Sequence, residues 1–190
     1  NKMGLREEAD RLANLRSLIA LQWTWPGKKT LFMGCEFGQW KEWDCDNQLD
    51  WSLLEFPIHA GLQKLVADLN HLYLTHSTWS DSDHQGDKFH WIDCDDASGQ
   101  TLSFIKYGEN PGDTLLIACN FSDQLCHRDW GCPHEGEWRV ILDTDSSDYG
   151  GEGSSGASEF HSFPEPRNGH SNGLSFSVAR WSVRILKLLK

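Results

Sequence analysis

The chain has 190 residues, and its 28 acidic side chains against 17 lysines and arginines give a net charge of -11. Nucleic acids and anionic membrane surfaces are bound mainly through lysine and arginine, so this balance argues against both as partners. No stretch approaches the roughly 20 consecutive apolar residues that span a bilayer. Ten tryptophans are an unusual number. Because tryptophan serves either as core packing or as a flat binding surface, their positions carry information.

The first predicted element is a helix over residues 6–25. Its apolar residues recur with helical spacing, and Pro26-Gly27 ends it. The residues on one face are Leu12, Leu15, Ile19 and Trp23. No basic segment followed by an apolar one precedes this helix, so we expect no signal peptide and a chain that starts within a domain.

A buried strand is predicted next, over residues 30–34. This short apolar run lies between two lysines and a glycine, which is typical of a strand covered on both faces in a parallel sheet. Residues 35–56 form a long polar and aromatic loop, and the spacing over 58–73 predicts a second helix after Pro57. Helix, strand, loop and helix in this order is the alternation of an α/β sheet or barrel.

From about residue 85 the pattern changes to short β-rich runs separated by turn signals, which predicts an antiparallel sandwich. The predicted strands cover residues 89–93, 101–105, 114–118, 137–142, 174–178 and 182–186. Residues 145–158 are rich in Ser and Gly, so we expect a flexible excursion between two strands.

The loop after the first predicted strand carries the residues of greatest chemical interest. Carboxylates and tryptophans alternate in it, and glycosidic-bond chemistry uses paired carboxylates together with aromatic faces that stack on sugars. In parallel barrels the loops that follow the strands form the active-site face. The alternative is a solvated acidic loop packed by its own aromatic rings. The candidate residues are Glu36, Trp40, Trp43, Asp50 and Trp51.

Other residue groups favour structural interpretations, so no metal site and no cofactor are expected. The nine histidines lack metal-ligand spacing, and His59 and His71 are expected to be solvated or hydrogen-bonded residues of the second helix. The acidic cluster at Asp143, Asp145 and Asp148 lacks calcium-loop spacing and favours a turn. No two of the six cysteines form a Cys-x-x-Cys pair, which favours reduced thiols in a cytoplasmic protein over a disulfide framework.

Several segments of this sequence resemble the C-terminal part of the 1,4-alpha-glucan (glycogen) branching enzymes. The matching segments are residues 13–16, 26–34, 36–43, 49–54, 66–70, 119–122, 138–145 and 149–151. The resemblance implies a mixed fold class. Residues 1–79 would be the last α-β-α portion of an alpha-amylase-type (β/α)8 barrel, namely its helix 7, strand 8 and helix 8. Residues 85–190 would be the C-terminal antiparallel β-sandwich domain.

The same resemblance implies an activity. The family cleaves an α-1,4-glucan, holds the cut chain on an aspartate and transfers it to a 6-hydroxyl, which makes an α-1,6 branch in glycogen. Its three catalytic carboxylates follow barrel strands four, five and seven, upstream of the sequence that matches residues 1–4. The resemblance therefore implies no catalytic residue in this chain, and it implies α-glucan as the partner. Glu36, Trp40, Trp43, Asp50 and Trp51 are then expected to line the substrate cleft.

Two other classes remain open. One is a non-catalytic carbohydrate-binding β-sandwich module, in which tryptophans alone carry the function. The other is the C-terminal part of a different alpha-amylase-fold enzyme, such as a debranching or trehalose-releasing hydrolase. In each case strand 30–34 lacks partners within this chain, and an unpaired strand edge recruits another chain, so self-association through residues 30–34 is expected.

Overall fold

The computed structural model describes residues 7–81 and 83–189. The first six residues, where the predicted first helix begins, lie outside the described residues. The α-helices are α1 (Glu8–Thr24), α2 (Pro57–Thr75) and α3 (Ser77–Asp81). The strands are β1 (Phe89–Asp93), β2 (Thr101–Lys106), β3 (Leu115–Asn120), β4 (Cys126–Cys132), β5 (Glu137–Asp143), β6 (Glu159–His161), β7 (Asn172–Val178) and β8 (Ser182–Leu188). Within these residues, every helix is too short or too polar to traverse a bilayer.

The strands form two antiparallel sheets, as the β-rich pattern predicts. The large sheet has six strands in the order β1-β2-β3-β8-β5-β6, and the small sheet consists of β4 and β7. All six strands predicted after residue 85 are present, whereas the sequence pattern does not predict β4 and β6. The small sheet packs on one face of the large sheet, and the three helices, which we call the helical layer, pack on the other.

The large sheet is apolar on both faces, and β3 shows this most clearly because all six of its residues are buried. Leu115, Ile117 and Cys119 belong to the cluster shared with the helical layer. Leu116 and Ala118 point to the opposite side and belong to the cluster shared with the small sheet. Side chains alternate across a strand, so this unbroken apolar run supplies both cores at once.

Four tryptophans are fully or almost fully buried, and each indole N–H finds an acceptor, as buried indoles require. Trp79 of α3 donates to the carbonyl of Trp23 at 2.7 Å, and Trp23 donates to Asn70 Oδ1 at 3.1 Å. Trp130 and Trp138 fill the core between the sheets, and both donate to backbone carbonyls.

Residues 30–34 differ from the prediction, because they form no strand. Leu31, Phe32 and Met33 lie on the surface in an irregular segment that leads into a short 3-10 helix. A strand with two apolar faces needs neighbours on both edges, and no strand lies beside this segment in the described part of the chain. The apolar run is therefore left exposed.

Residues 145–158 form a hydrogen-bonded loop rather than the free excursion that their composition suggests. The Asp145 carboxylate accepts hydrogen bonds from the backbone N–H of Glu152 at 3.0 Å and of Ser154 at 2.7 Å. The Ser154 hydroxyl donates to the same carboxylate at 2.8 Å. One buried acid thus organises the loop, which composition alone does not indicate.

Charged residues join α1 to this loop and to the large sheet. Buried Arg16 donates through Nε to the carbonyl of Thr144 at 3.0 Å, and burial lowers the pKa of its guanidinium. Arg180 donates to Asp10 of α1 at 2.7 Å and to Glu152 of the loop at 2.8 Å. These bonds fix α1 relative to the sandwich.

Helix α2 meets the same loop at very short range. A Cβ at Gly61 would lie 2.6 Å from the carbonyl carbon of Tyr149, so only glycine permits this approach of helix and loop. The Tyr149 hydroxyl donates to Asp68 at 2.8 Å, and Lys64 pairs with Asp68 at 2.7 Å. The helical layer is therefore held to the sandwich by backbone contact and by polar bonds as well as by apolar packing.

Gly61→Ala is expected to destabilise the protein although alanine favours helix. The added methyl group would clash with the backbone at Tyr149, and we expect a net loss of about 1–2 kcal/mol in the free energy of unfolding, measured with urea. Gly86→Ala is the matched control, because a Cβ there meets nothing within 4 Å. Equal stability of both variants would contradict the close contact.

A buried cluster of charges connects the helical layer with β2. Asp83 receives hydrogen bonds from Lys29 Nζ at 3.0 Å, from the Tyr73 hydroxyl at 2.8 Å and from the backbone N–H of Gly27 at 3.2 Å. Lys106 is fully buried, with its ammonium 3.8 Å from Asp83 and donating to the carbonyl of Trp79 at 3.1 Å. Burial, together with the neighbouring charge of Lys29, lowers the pKa of Lys106 to about 7.

This lowered pKa predicts a pH dependence of stability. Between about pH 7 and the unfolded value of 10.5 the unfolded chain binds more protons at Lys106 than the folded one, so stability rises with pH. From pH 7 to pH 9 the free energy of unfolding should rise by about 2 kcal/mol more in the unmodified protein than in Lys106→Met. Parallel pH profiles from chemical denaturation would contradict this assignment. The comparison cancels the titration of groups common to both proteins.

Candidate functional site

The candidate loop, residues 34–56, begins with a tight turn that is seated on the helical layer. The 3-10 helix Cys35–Phe37 is followed by Gly38, whose φ of +70° is a left-handed conformation that favours glycine. A Cβ at Gly38 would lie 3.0 Å from Leu12 of α1 and 3.0 Å from Leu62 of α2. The turn backbone therefore lies against the apolar faces of both helices.

Phe37 is the apolar anchor of this turn. Its side chain is fully buried, and its ring lies 5.1 Å, centre to centre, from that of Trp51. Its carbonyl oxygen is 2.7 Å from Nδ1 of His59. His59 was expected to be a solvated or hydrogen-bonded residue of the helix. It is hydrogen-bonded, but it is 1% exposed rather than solvated, because the turn covers the face of α2 on which it lies.

The structure brings Trp40, Trp43 and Trp51 onto one exposed loop, where they are 60%, 41% and 48% exposed. Each ring is held by one neighbour. Trp43 meets the edge of Phe32 at 5.5 Å, and Trp40 lies 5.7 Å from the His59 ring. Rings held in this way keep exposed surface available for a ligand.

Polar groups of the same loop are organised by Gln39. Its Oε1 accepts a hydrogen bond from the backbone N–H of Asp50 at 2.8 Å, and its Nε2 donates to the carbonyl of Lys41 at 3.1 Å. The Asp50 carboxylate accepts from Ser52 at 2.6 Å. These segments enclose a pocket of about 420 Å³ lined by Gln39, Lys41, Glu42, Asp44, Asn47, Gln48, Leu49 and Asp50. Such a lining offers hydrogen bonds to a ligand rich in hydroxyl groups.

The acids of the loop are all exposed or partly exposed. A carboxyl that donates a proton near neutral pH needs a raised pKa, usually through burial. Glu42 and Asp46 are exposed, and Glu36 is partly exposed. The backbone N–H of Asp46 and the Asn47 amide hold the pKa of Asp44 below its usual range.

Potential metal ligands meet at Asp44, Cys45 and Asp46, the one such group among residues 7–81 and 83–189. All three are exposed, and Asp44 already accepts hydrogen bonds from the backbone of Asp46 at 2.9 Å and from Asn47 at 2.7 Å. The Asp44 carboxylate is thus satisfied by donors of its own turn.

Two further tryptophans outside the candidate loop are partly exposed. Trp25, which follows α1, is 41% exposed, and Trp91 of β1 is 39% exposed. Their rings lie 5.5 Å apart in an edge arrangement, and Phe89 and Phe104 lie beside them. Trp25 directly precedes Pro26, which is the sequence signal for a position at the end of the helix. Trp91 is exposed because β1 is an edge strand, which only the structure reveals.

The architecture defines a class, an all-β sandwich with a helical layer on one face. The family model described as "Alpha amylase, C-terminal all-beta domain" matches residues 91–188. The chain belongs to this family. The match covers all strands from β2 to β8 and most of β1.

Curated relatives are similar over nearly the whole chain. The 1,4-alpha-glucan branching enzyme GlgB of Rhodospirillum rubrum is 40% identical over 178 residues, which are 93% of this chain and 24% of that protein. The enzyme of the same name from Aquifex aeolicus is 38% identical over 93% of this chain and 28% of its own length. That of Bordetella pertussis is 42% identical over 95% and 25%. The chain thus spans about a quarter of the length of these relatives.

Solved structures share the fold. A debranching enzyme from Nostoc punctiforme superimposes with a TM-score of 0.62 at 17% identity, over 93% of this chain and 31% of that one. A pullulanase from Anoxybacillus sp. LM18-11, complexed with maltotetraose, gives a TM-score of 0.62 at 13% identity, over 96% and 24%. At this identity the likeness concerns the fold alone.

Proposed function

We propose that this chain is the C-terminal portion of a 1,4-alpha-glucan branching enzyme. Such an enzyme is a glycosyltransferase that cleaves an α-1,4-glucan and joins the cut chain to a 6-hydroxyl, which creates the α-1,6 branches of glycogen. The observation that carries the proposal is the identity of about 40% to curated branching enzymes over 93% of the chain. The proposal includes a cytoplasmic location, with which six free cysteines agree.

Residues 1–79 are, in this proposal, the end of a (β/α)8 barrel, and residues 85–190 are the sandwich that follows it. The succession of α1, an apolar segment, a long loop and α2 supports the assignment. So does the exposure of Leu31, Phe32 and Met33, which is the surface that neighbouring barrel strands would cover. Where no barrel strands cover these side chains, another copy of the chain could cover them instead. Self-association through residues 30–34 therefore stays a prediction.

Glu36, Trp40, Trp43, Asp50 and Trp51 are proposed to contact the α-glucan. The flat faces of glucose rings stack on aromatic side chains, and all three tryptophans expose about half of their surface on one loop. The polar pocket of the same loop, which Asp50 helps to line, offers partners for sugar hydroxyl groups. The loop then holds the glucan chain, while bond cleavage depends on carboxylates elsewhere in the enzyme.

Branching is favoured over debranching by the curated relatives. The debranching enzyme and the pullulanase resemble this chain at 17% and 13% identity, whereas the branching enzymes reach about 40%. A shared sandwich fold hosts several activities, so the sequence-level similarity is the stronger argument.

This chain alone is expected to lack branching activity. Without a buried acid and base pair in the loop, it should leave the iodine colour of amylose unchanged over hours at any protein concentration. A full-length curated relative, such as the Rhodospirillum rubrum enzyme, serves as the positive control and should shift the colour. A colour shift produced by the chain itself would overturn the absence of catalytic residues.

The glucan-contacting role is tested by titrating a soluble α-glucan into the chain and following tryptophan fluorescence or calorimetric heat. Trp40→Ala and Trp43→Ala should each weaken binding about threefold to tenfold, because each removes one stacking surface. Leu125→Ala is the control, since it removes a similarly exposed apolar side chain from the sandwich. Binding that survives both tryptophan substitutions unchanged would mean that these rings only pack the loop.

A further inference from the structure

His59 occupies the point where the candidate loop meets the helical layer. It lies near the start of α2, and its ring is 1% exposed beneath the turn that carries Trp40. Nδ1 lies 2.7 Å from the carbonyl oxygen of Phe37, and the ring centre lies 5.7 Å from that of Trp40. One side chain of the helix thus contacts both the backbone of the turn and the ring that the turn presents.

The hydrogen-bond partner fixes the chemistry of the His59 ring. A carbonyl oxygen only accepts, so Nδ1 carries the hydrogen and donates to Phe37. The other nitrogen, Nε2, is buried with no hydrogen-bond partner, and the nearest acid is Glu8 Oε1 of α1 at 3.6 Å. The ring is held through Nδ1 and by packing, with α1 on its far side.

The bond to Phe37 acts at the position that sets the direction of the turn. Phe37 ends the 3-10 helix, Gly38 follows it in a left-handed conformation, and Trp40 comes two residues later. A buried carbonyl that loses its donor costs free energy, so the turn would move to find another partner. Movement of the turn would carry the Trp40 ring with it, because Trp40 directly follows the turn in the chain. The contact between the Trp40 ring and the His59 ring would then change.

We propose that His59 is a positioning residue, which holds the Phe37 carbonyl and so fixes the Trp40 ring in the orientation that stacks on α-glucan. The inference rests on the proposed function only in its second part, the stacking on glucan. Its first part, the orientation of Trp40 by His59, is a property of the free chain and is measurable without any ligand.

Three substitutions separate the hydrogen bond from simple packing. His59→Asn places an amide N–H near the position of Nδ1 and should preserve the bond. His59→Gln carries the same amide one methylene further out, and His59→Leu keeps apolar bulk with no donor, so both should lose it. Because glutamine is polar, His59→Gln remains informative even where the leucine variant fails to fold.

The first measurement follows the indole N–H resonance of Trp40 in the chain without glucan, assigned through Trp40→Ala. His59→Asn keeps the bond to Phe37 but lacks the ring beside Trp40, so we expect it to change this resonance slightly. His59→Gln and His59→Leu lose both the bond and the ring, and we expect them to shift or broaden the resonance clearly more. The indole resonance of Trp130, in the core between the sheets, should stay unchanged in all three. A Trp40 resonance that is unaffected by all three substitutions, or that changes equally in all three, would overturn the proposal.

The second measurement is the affinity for a soluble α-glucan. His59→Gln should weaken binding about threefold to tenfold, as expected for one lost hydrogen bond. In a Trp40→Ala background the same substitution should have no further effect, because its influence passes through that ring. Additive losses would overturn a positioning role through Trp40. If the unmodified chain binds no glucan while the Trp40 resonance still responds, the proposed function fails and the orientation of Trp40 by His59 stands.

Discussion

The large sheet has two apolar faces, and everything else in the molecule depends on both of them being covered. The small sheet covers one face and the helical layer covers the other, so neither layer is dispensable. Removing the helices would expose Leu115, Ile117, Val183 and Ile185 to water at once. At about 25 cal/mol per Å² of exposed apolar surface, the cost of exposing such a face is large for one domain. The sandwich and the helices that precede it therefore share a single fold, although they differ in secondary structure.

This dependence extends to the candidate loop. The loop has no sheet of its own, and it takes its shape from α1 and α2, on which Gly38 and Phe37 are seated. Those helices in turn are held to the sandwich through Arg16, Gly61 and Tyr149. The orientation of the exposed tryptophans is thus set by contacts that reach the strands of the large sheet, well beyond the loop itself.

Much of this arrangement follows from the sequence, and the exceptions have physical reasons. The six predicted strands have strong apolar runs, whereas β4 carries His127, Arg128 and Asp129 on its exposed or partly exposed half. Pattern rules that depend on apolar runs miss such a strand, and they also miss β6, which has three residues.

The exposure of residues 31–33 depends on which neighbours are present, and a local pattern contains no information about them. The five proposed glucan-contacting residues rest on residue type and on family resemblance. The burial of His59 depends on the turn above it, which periodicity does not describe.

Asp83 illustrates a different kind of dependence among residues far apart in the sequence. It faces the ammonium groups of Lys29 and Lys106, the first at 3.0 Å and the second at 3.8 Å, and it accepts from Tyr73 as well. Loss of this one carboxylate would leave two buried amino groups without their shared acceptor, so a replacement of Asp83 is best combined with a replacement of a lysine. Residues 29, 83 and 106 therefore form one unit in any redesign of this junction, in which the acid is the member that cannot be removed alone.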